Sequence, residues 1–380
     1  MKFGIFFELS VPRPFTREVE QQVIVNALEQ ARLADELGFD VIWAVEHHFL
    51  EGYSHCSAPE LFLTAVAMQT ERIRLGHGAV VTVREINHPI RAAERGAFLD
   101  QLSRGRVEFG TARSSTWTEL GGFQADPDAT KKEWDEFVQV LPRMWTEERF
   151  SWDGNCFSMP ERAVLPKPFQ DPHPPLWVTV TSSGTERDAA ERGLGALGVA
   201  TASYAEQERR LQEYRRTIQN CDPVSDIVND QVATLNFLYC HEDLERAASR
   251  GMQMLGYFGM LNANLLFTRE AYPTRAYQSL ANVAPPSRRD ASDPSAGASI
   301  PEGVCIGDPK RIIDAAKNWE SLGVDNVNFL LNAAEILNQE EVLASMRLFA
   351  REVMPAFPRP SRTEGSLPLH RQREAQGQCS

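Results

Sequence analysis

Short apolar runs alternate with longer amphipathic ones from the first residues almost to the end, and this alternation constrains the fold more than any other feature. "KFGIFFEL" (Lys2–Leu9) reads as a buried strand. In the segment that follows, Val19, Val23, Ala27, Ala31 and Ala34 recur at helical spacing, and Gly38 supplies a stop. "DVIWAVEHH" then pairs with "APELFLTAVAMQ", "RIRLGHGAVV" with "NHPIRAAERGAFLDQLS", and "RVEFGTAR" with "KKEWDEFVQVLPRMWTEE". "PLWVTVTS" precedes "TERDAAERG", "ALGVAT" precedes "AEQERRLQEYRRTIQ", and "QVATLNFLYC" precedes "EDLERAASRGMQML". "NVNFLL" and "NQEEVLASMRLFAREVM" complete an eighth unit.

Eight strand–helix units with Val/Ile/Leu-rich strands, buried on both sides, predict a (β/α)8 TIM barrel. A doubly wound open sheet is the alternative. The count of eight and the lack of GxGxxG after the first strand weigh against it; that strand runs instead into the proline-containing loop "SVPRPFT". One barrel domain is expected over residues 1–356. Residues 150–170 interrupt the alternation as a small hairpin and Pro-rich connector. Thr268–Ser299 is a polar insertion between units seven and eight, either an active-site lid or a segment without function. The stretch 357–380, low in apolar residues, is expected to be disordered.

The balance of 39 Lys and Arg against 52 Asp and Glu gives a formal net charge of −13, which repels phosphate backbones and weighs against nucleic acid or an anionic membrane as partner. Six cysteines are scattered without a CxxC pair, and no secretory apolar segment opens the chain, so reduced thiols and a cytoplasmic location are expected. No segment approaches the ~18 apolar residues of a membrane span.

In such a barrel the loops at the carboxyl ends of the strands form the active site. His47 and His48 end the second strand; alternation points one inward with Trp43 and Val45 and the other toward the helices. A metal site would need ligands one residue apart on a strand, and no HxH occurs. A structural histidine, or a general base or hydrogen-bond donor at the barrel mouth, are the other readings. Arg113 follows the fourth strand. Thr181, Ser182, Ser183 and Thr185 follow the fifth, where hydroxyls and backbone N–H groups open a helix. Each is explicable alone, as an ion pair or an N-cap; together they make a phosphate-binding corner on two adjacent loops. Gly78–Ala79 places a glycine inside a buried strand, the mark of a bulge, a bend or a flat ligand lying close.

The stretches "LADELGFDVIWAVEHHF", "RIRLGHGAVV", "NHPIRAAERGAFLDQLSRGRVEFG" and "LASMRLFAREVMP", in this order, resemble the bacterial luciferase-like flavin monooxygenase family. The resemblance implies that His47 is the catalytic histidine beside the flavin and that His88 matches a second family histidine, although helix capping also explains it. It implies a non-proline cis peptide at Gly78–Ala79 beneath the isoalloxazine ring. Arg113, Ser182 and Thr185 fall on phosphate-contacting positions, with Thr181 beside them. It implies reduced FMN from a separate flavin reductase, dioxygen, oxygenation of a small organic substrate through a flavin hydroperoxide, and a homodimer built on the second and third helices. A deazaflavin-dependent dehydrogenase or reductase, and a non-catalytic flavin-binding barrel, are the alternatives. Two departures bear on the substrate: Ala112 stands where luciferases carry a reactive cysteine, and "TVREIN" before His88 is longer than theirs.

Overall fold

The computed structural model describes residues 1–114, 116–181, 184–199, 204–267 and 299–358. The strands in chain order are β1 (Lys2–Phe7), β2 (Val41–Ala44), β3 (Arg74–Val81), β4 (Val107–Ala112), β5 (Phe150–Asp153), β6 (Ser158–Arg162), β7 (Leu176–Val180), β8 (Gly195–Val199), β9 (Val232–Cys240), β10 (Cys305–Gly307) and β11 (Asn326–Leu330). Eight of them pair in parallel in the order β11-β1-β2-β3-β4-β7-β8-β9, and β9 pairs back onto β11 to close the barrel. This is the TIM barrel read from the alternation. β5 and β6 form the antiparallel hairpin expected within residues 150–170.

The helices that position the mouth are α1 (Arg17–Leu37), α2 (Pro59–Ala67), α3 (Pro89–Ser103), α4 (Trp117–Gly122), α5 (Thr130–Thr146), α6 (Thr185–Glu191), α7 (Tyr204–Ile218) and α8 (Leu244–Phe267). Their ends follow local chemistry. The Thr16 hydroxyl accepts from the Val19 N–H to start α1, and Gly38, at φ 84°, takes the left-handed turn that ends it.

A ninth strand–helix unit, β10 and the helix Pro309–Ser321, lies between the seventh and eighth units, where only an insertion was expected. β10 has three residues and pairs only with the last residues of β9, too short to show a period of its own. Its helix carries Ile312, Ala315, Ala316 and Trp319 on the buried face. Residues 268–298, the expected lid, and 359–380, the expected disordered tail, lie outside the described residues. Among the described residues no helix is long and apolar enough to cross a membrane.

The barrel interior is filled from below by aromatic side chains. Trp43 and Trp177 meet edge to face at 5.4 Å, and both are buried. Glycines make room for them: a Cβ at Gly76 would stand 2.2 Å from Trp43, and one at Gly195 would stand 2.5 Å from Trp177. One layer higher, a Cβ at Gly78 would stand 3.1 Å from Phe6 and 3.2 Å from Trp43. Phe6, Trp43 and Gly78 are therefore the floor on which the polar groups of the mouth rest.

Candidate functional site

Alternation along β1 decides what stands above that floor. Phe7 points outward and packs on Phe62 of α2 at 5.3 Å. Phe6 and the next residue of its phase, Glu8, therefore point inward. Glu8 is 4% exposed. One carboxyl oxygen accepts from the Tyr53 hydroxyl at 3.3 Å. The other, Oε2, is buried with no hydrogen-bond partner and lies 3.7 Å from Nε2 of His47.

β2 ends at Ala44, so His47 and His48 lie beyond the strand and its alternation does not orient them. The loop folds back instead, with the His47 N–H donating to the Cys56 carbonyl at 3.0 Å. Nδ1 of His47 is 3.0 Å from Oε1 of Glu119. Glu119 sits on α4, a helix the alternation did not include. Thr116 caps it, accepting from the Glu119 N–H at 3.2 Å. The Glu119 carboxylate also accepts from the His48 N–H at 3.1 Å and from the Ser114 and Thr116 hydroxyls, each at 2.8 Å. The spacing of Thr116 and Glu119 is that of a capping box, which was the signal available for finding this helix.

Charge follows from the geometry. Burial pushes the His47 ring toward the neutral form. The nearby Glu119 carboxylate, its hydrogen bond, and then Glu8 and Glu46 outweigh it and raise the pKa to about 9. Burial likewise works against an ionised Glu119, but the His47 charge and the hydrogen bonds from His47, Ser114 and Thr116 hold it at about 2. Glu8 has fewer compensations. Burial raises it to about 7, against the smaller pull of His47 and the Tyr53 hydroxyl. At neutral pH the mouth thus holds an imidazolium between one ionised carboxylate and one carboxyl near its midpoint.

The remaining residues fall into place around this cluster. His48 faces Glu46, Nε2 to Oε1 at 3.1 Å, and packs edge-on against Phe123. Glu46 in turn accepts from the Val81 N–H and the Asn87 amide, which joins the loop after β2 to the end of β3. His88 is not joined to His47 by any hydrogen bond or ring contact among the described residues. Its Nδ1 accepts from the Ile90 N–H at 3.2 Å as the cap of α3, and its ring packs on Phe157 of the hairpin loop. Burial and the Arg84 charge lower its pKa. The capping alternative accounts for it.

The peptide between Gly78 and Ala79 is cis, the conformation the resemblance implies. Thr111 of β4 pairs with Val178 of β7, and continuing that register sets Arg113 beside Val180 and Thr181. Arg113 is half-buried, and among the described residues no carboxylate stands within ion-pair distance of it. Thr181 is exposed and Thr185 is the first residue of α6; Ser182 lies outside the described residues. The helix opening is not free of partners, contrary to the expectation of unpaired N–H groups. The Gly184 N–H donates to Oε2 of Glu186 at 3.0 Å, and Glu186 pairs with Arg210. Space remains, since a Cβ at Gly184 would meet nothing within 4 Å. A guanidinium with no carboxylate partner among the described residues, on the loop next to Thr181 and Thr185, is a donor set that fits a phosphate monoester.

Residues 1–326 match the model of a family described as luciferase-like monooxygenase. The chain is 26% identical over 367 residues to the oxygenase component of the flavin-dependent trigonelline monooxygenase of Acinetobacter baylyi, covering 94% of this chain and 96% of that one. Among solved structures, the monooxygenase RslO1 from Streptomyces bottropensis superposes with a TM-score of 0.77 at 26% identity, covering 94% of this chain and all of that one. The FMN complex of the oxygenating constituent of 3,6-diketocamphane monooxygenase, from a Pseudomonas putida plasmid, shares the fold with a TM-score of 0.73 at 19% identity, covering 95% and 99% of the two chains. With the closed barrel and the match over residues 1–326, the chain belongs to the luciferase-like flavin-dependent monooxygenase family.

Proposed function

We propose that this chain is the oxygenase component of a two-component, FMN-dependent monooxygenase, cytoplasmic and homodimeric, that takes reduced FMN from a separate flavin reductase and acts on a small organic substrate. The observation that carries the reading is the clamped imidazolium: His47 is fixed at Nδ1 by Glu119 and is 24% exposed at the barrel mouth. Arg113, Thr181, Ser182 and Thr185 would hold the FMN phosphate, and Gly78 and Ala79 would lie under the ring system. Reduced FMN would supply, with dioxygen, the oxidising power that no side chain has. The chain's own contribution is to orient, to exclude water and to handle a proton. His47, charged at neutral pH, donates from Nε2. Tyr53 packs against His47 at 5.6 Å and Phe258 of α8 against Tyr53 at 5.2 Å, which closes that side of the mouth to water.

The test of this reading begins with Arg113. Arg113→Ala should weaken binding of reduced FMN roughly 10- to 100-fold, the worth of a charge-assisted hydrogen bond to phosphate. Anaerobic titration followed by flavin fluorescence measures it; unchanged affinity would remove Arg113 from the phosphate site.

The dimer reading is supported by an apolar surface on the packed helices α2 and α3. Leu61 and Met68 are 70% and 69% exposed, and Phe98 is 58% exposed with Leu102 one turn on. Phe98→Asp is expected to shift the protein from dimer to monomer in sedimentation velocity at micromolar concentration. A native chain that sediments as a monomer would contradict the reading.

A further inference from the structure

We propose that Glu8 is a positioning residue for His47: its buried carboxyl holds a second proton beside Nε2 and hands it to the ring when Nε2 has given up its own. The inference rests on the reading of His47 as the proton-handling group of the mouth.

The geometry orders the groups from outside to inside. His47 is 24% exposed and Glu8 4%, with Nε2 to Oε2 at 3.7 Å. The nitrogen opposite is committed to Glu119, so Nε2 is the ring atom left for a reacting partner. Two roles are open to a carboxyl in this position, direct contact with a bound molecule or service to the histidine. Burial chooses between them, because Oε2 has no accessible surface to offer a ligand and no other hydrogen-bond partner. A buried carboxylate oxygen without a partner is costly, and protonation removes its charge; once Nε2 has given up its own proton, the carboxyl O–H has an acceptor in the ring.

The exchange is balanced in protons. His47 loses the Nε2 proton to the bound molecule, the Glu8 carboxyl proton moves to Nε2, and Glu8 is left as a carboxylate beside a restored imidazolium. Solvent protons then return the pair to its starting state through the exposed edge of His47. The groups facing Glu8 are His47 and Tyr53 from the loop after β2, Cys56 and Glu46 behind them, and Glu119 from α4. From the loop after β11 comes Asn332, while Glu335 there is engaged by the Asn26 amide. Glu119 is ionised throughout the neutral range, which leaves Glu8 as the carboxyl whose proton is mobile at neutral pH.

The test is a titration of the His47 ring by NMR in the full-length, flavin-free protein, assigned with His47→Gln. The native ring should report two inflections, one near neutrality from Glu8 and its own near 9. In Glu8→Gln the lower inflection should vanish and the upper one move down, because a negative neighbour is gone. Should that variant not fold, Tyr53→Phe keeps the carboxyl and removes the hydroxyl that favours its ionised form, so the lower inflection should move up. A lower inflection that survives Glu8→Gln, or one that ignores Tyr53→Phe, would overturn the proposal. Because no flavin is present, failure of the flavin reading cannot imitate failure of this one.

Discussion

Glu119→Gln is expected to lower turnover at pH 7 by roughly 4-fold or more, the share of imidazolium lost once its pKa reaches its ordinary 6.5 or falls below it, while leaving the barrel folded. The amide matches the carboxylate in shape. Its oxygen can keep the donors on the histidine side, His47 Nδ1 and the His48 N–H, while its NH2 faces the Ser114 and Thr116 hydroxyls, which rotate to accept. Only the charge is lost, and that charge is the main influence opposing the burial of the imidazolium. The His47 pKa should fall from about 9 toward or below its ordinary 6.5, so the ring becomes largely neutral where the native one is charged. Stability carries the same signature. A histidine whose pKa is raised on folding stabilises fully below 6.5, and that contribution is lost as pH rises through 9. A glutamate held at about 2 contributes above 4.5 and loses it as pH falls toward 2. The two effects describe one pair, worth at most about 3 kcal/mol. Thermal midpoints between pH 5 and 10 should therefore fall more steeply above pH 6.5 in the native chain than in Glu119→Gln. Parallel curves would contradict the account of His47.

Asp100→Ala is expected to cost about 3–5 kcal/mol of folding stability without changing activity per folded molecule. Asp100 is fully buried on α3, at the end of the barrel away from the mouth. It accepts from the Val107 N–H at 3.2 Å, the Phe169 N–H at 2.9 Å, and the Gln170 N–H and side-chain amide, each at 2.8 Å. One side chain thus joins the end of α3, the start of β4 and the Pro-rich connector. Alanine leaves three backbone donors with no acceptor behind the barrel wall, while the Gln170 side-chain amide keeps the Val107 carbonyl at 2.9 Å. The midpoint of urea unfolding reads the loss. A variant that unfolds at the native urea concentration would show that water replaces Asp100 at little cost.

The strands and most helices were legible because both faces of a barrel strand are buried and each helix buries one stripe, so the periods of two and 3.6 survive in the chain. The ends of elements were less so. β2 stops three residues before His47, and the alternation argument for the histidine pair fails with it. His47 and Arg113 were legible as candidates, since they stand where strand ends predict site residues. Glu8 and Glu119 were not. They approach His47 from the loops after two other strands, and nothing local distinguishes a carboxylate that meets an imidazole across the mouth from one that faces solvent. His88 was read as a second catalytic histidine with capping as the other explanation; it caps α3, with Pro89 directly after it fixing the first helical turn.

The central claim is tested most directly by anaerobic titration of the full-length protein with reduced FMN, and in parallel with a reduced deazaflavin, followed by admission of air with and without His47→Ala. The account predicts saturable binding of reduced FMN, slower reoxidation of the bound flavin than of free flavin, and loss of that protection in His47→Ala. Saturable binding of the deazaflavin with none of reduced FMN would contradict it and assign hydride transfer to this barrel instead.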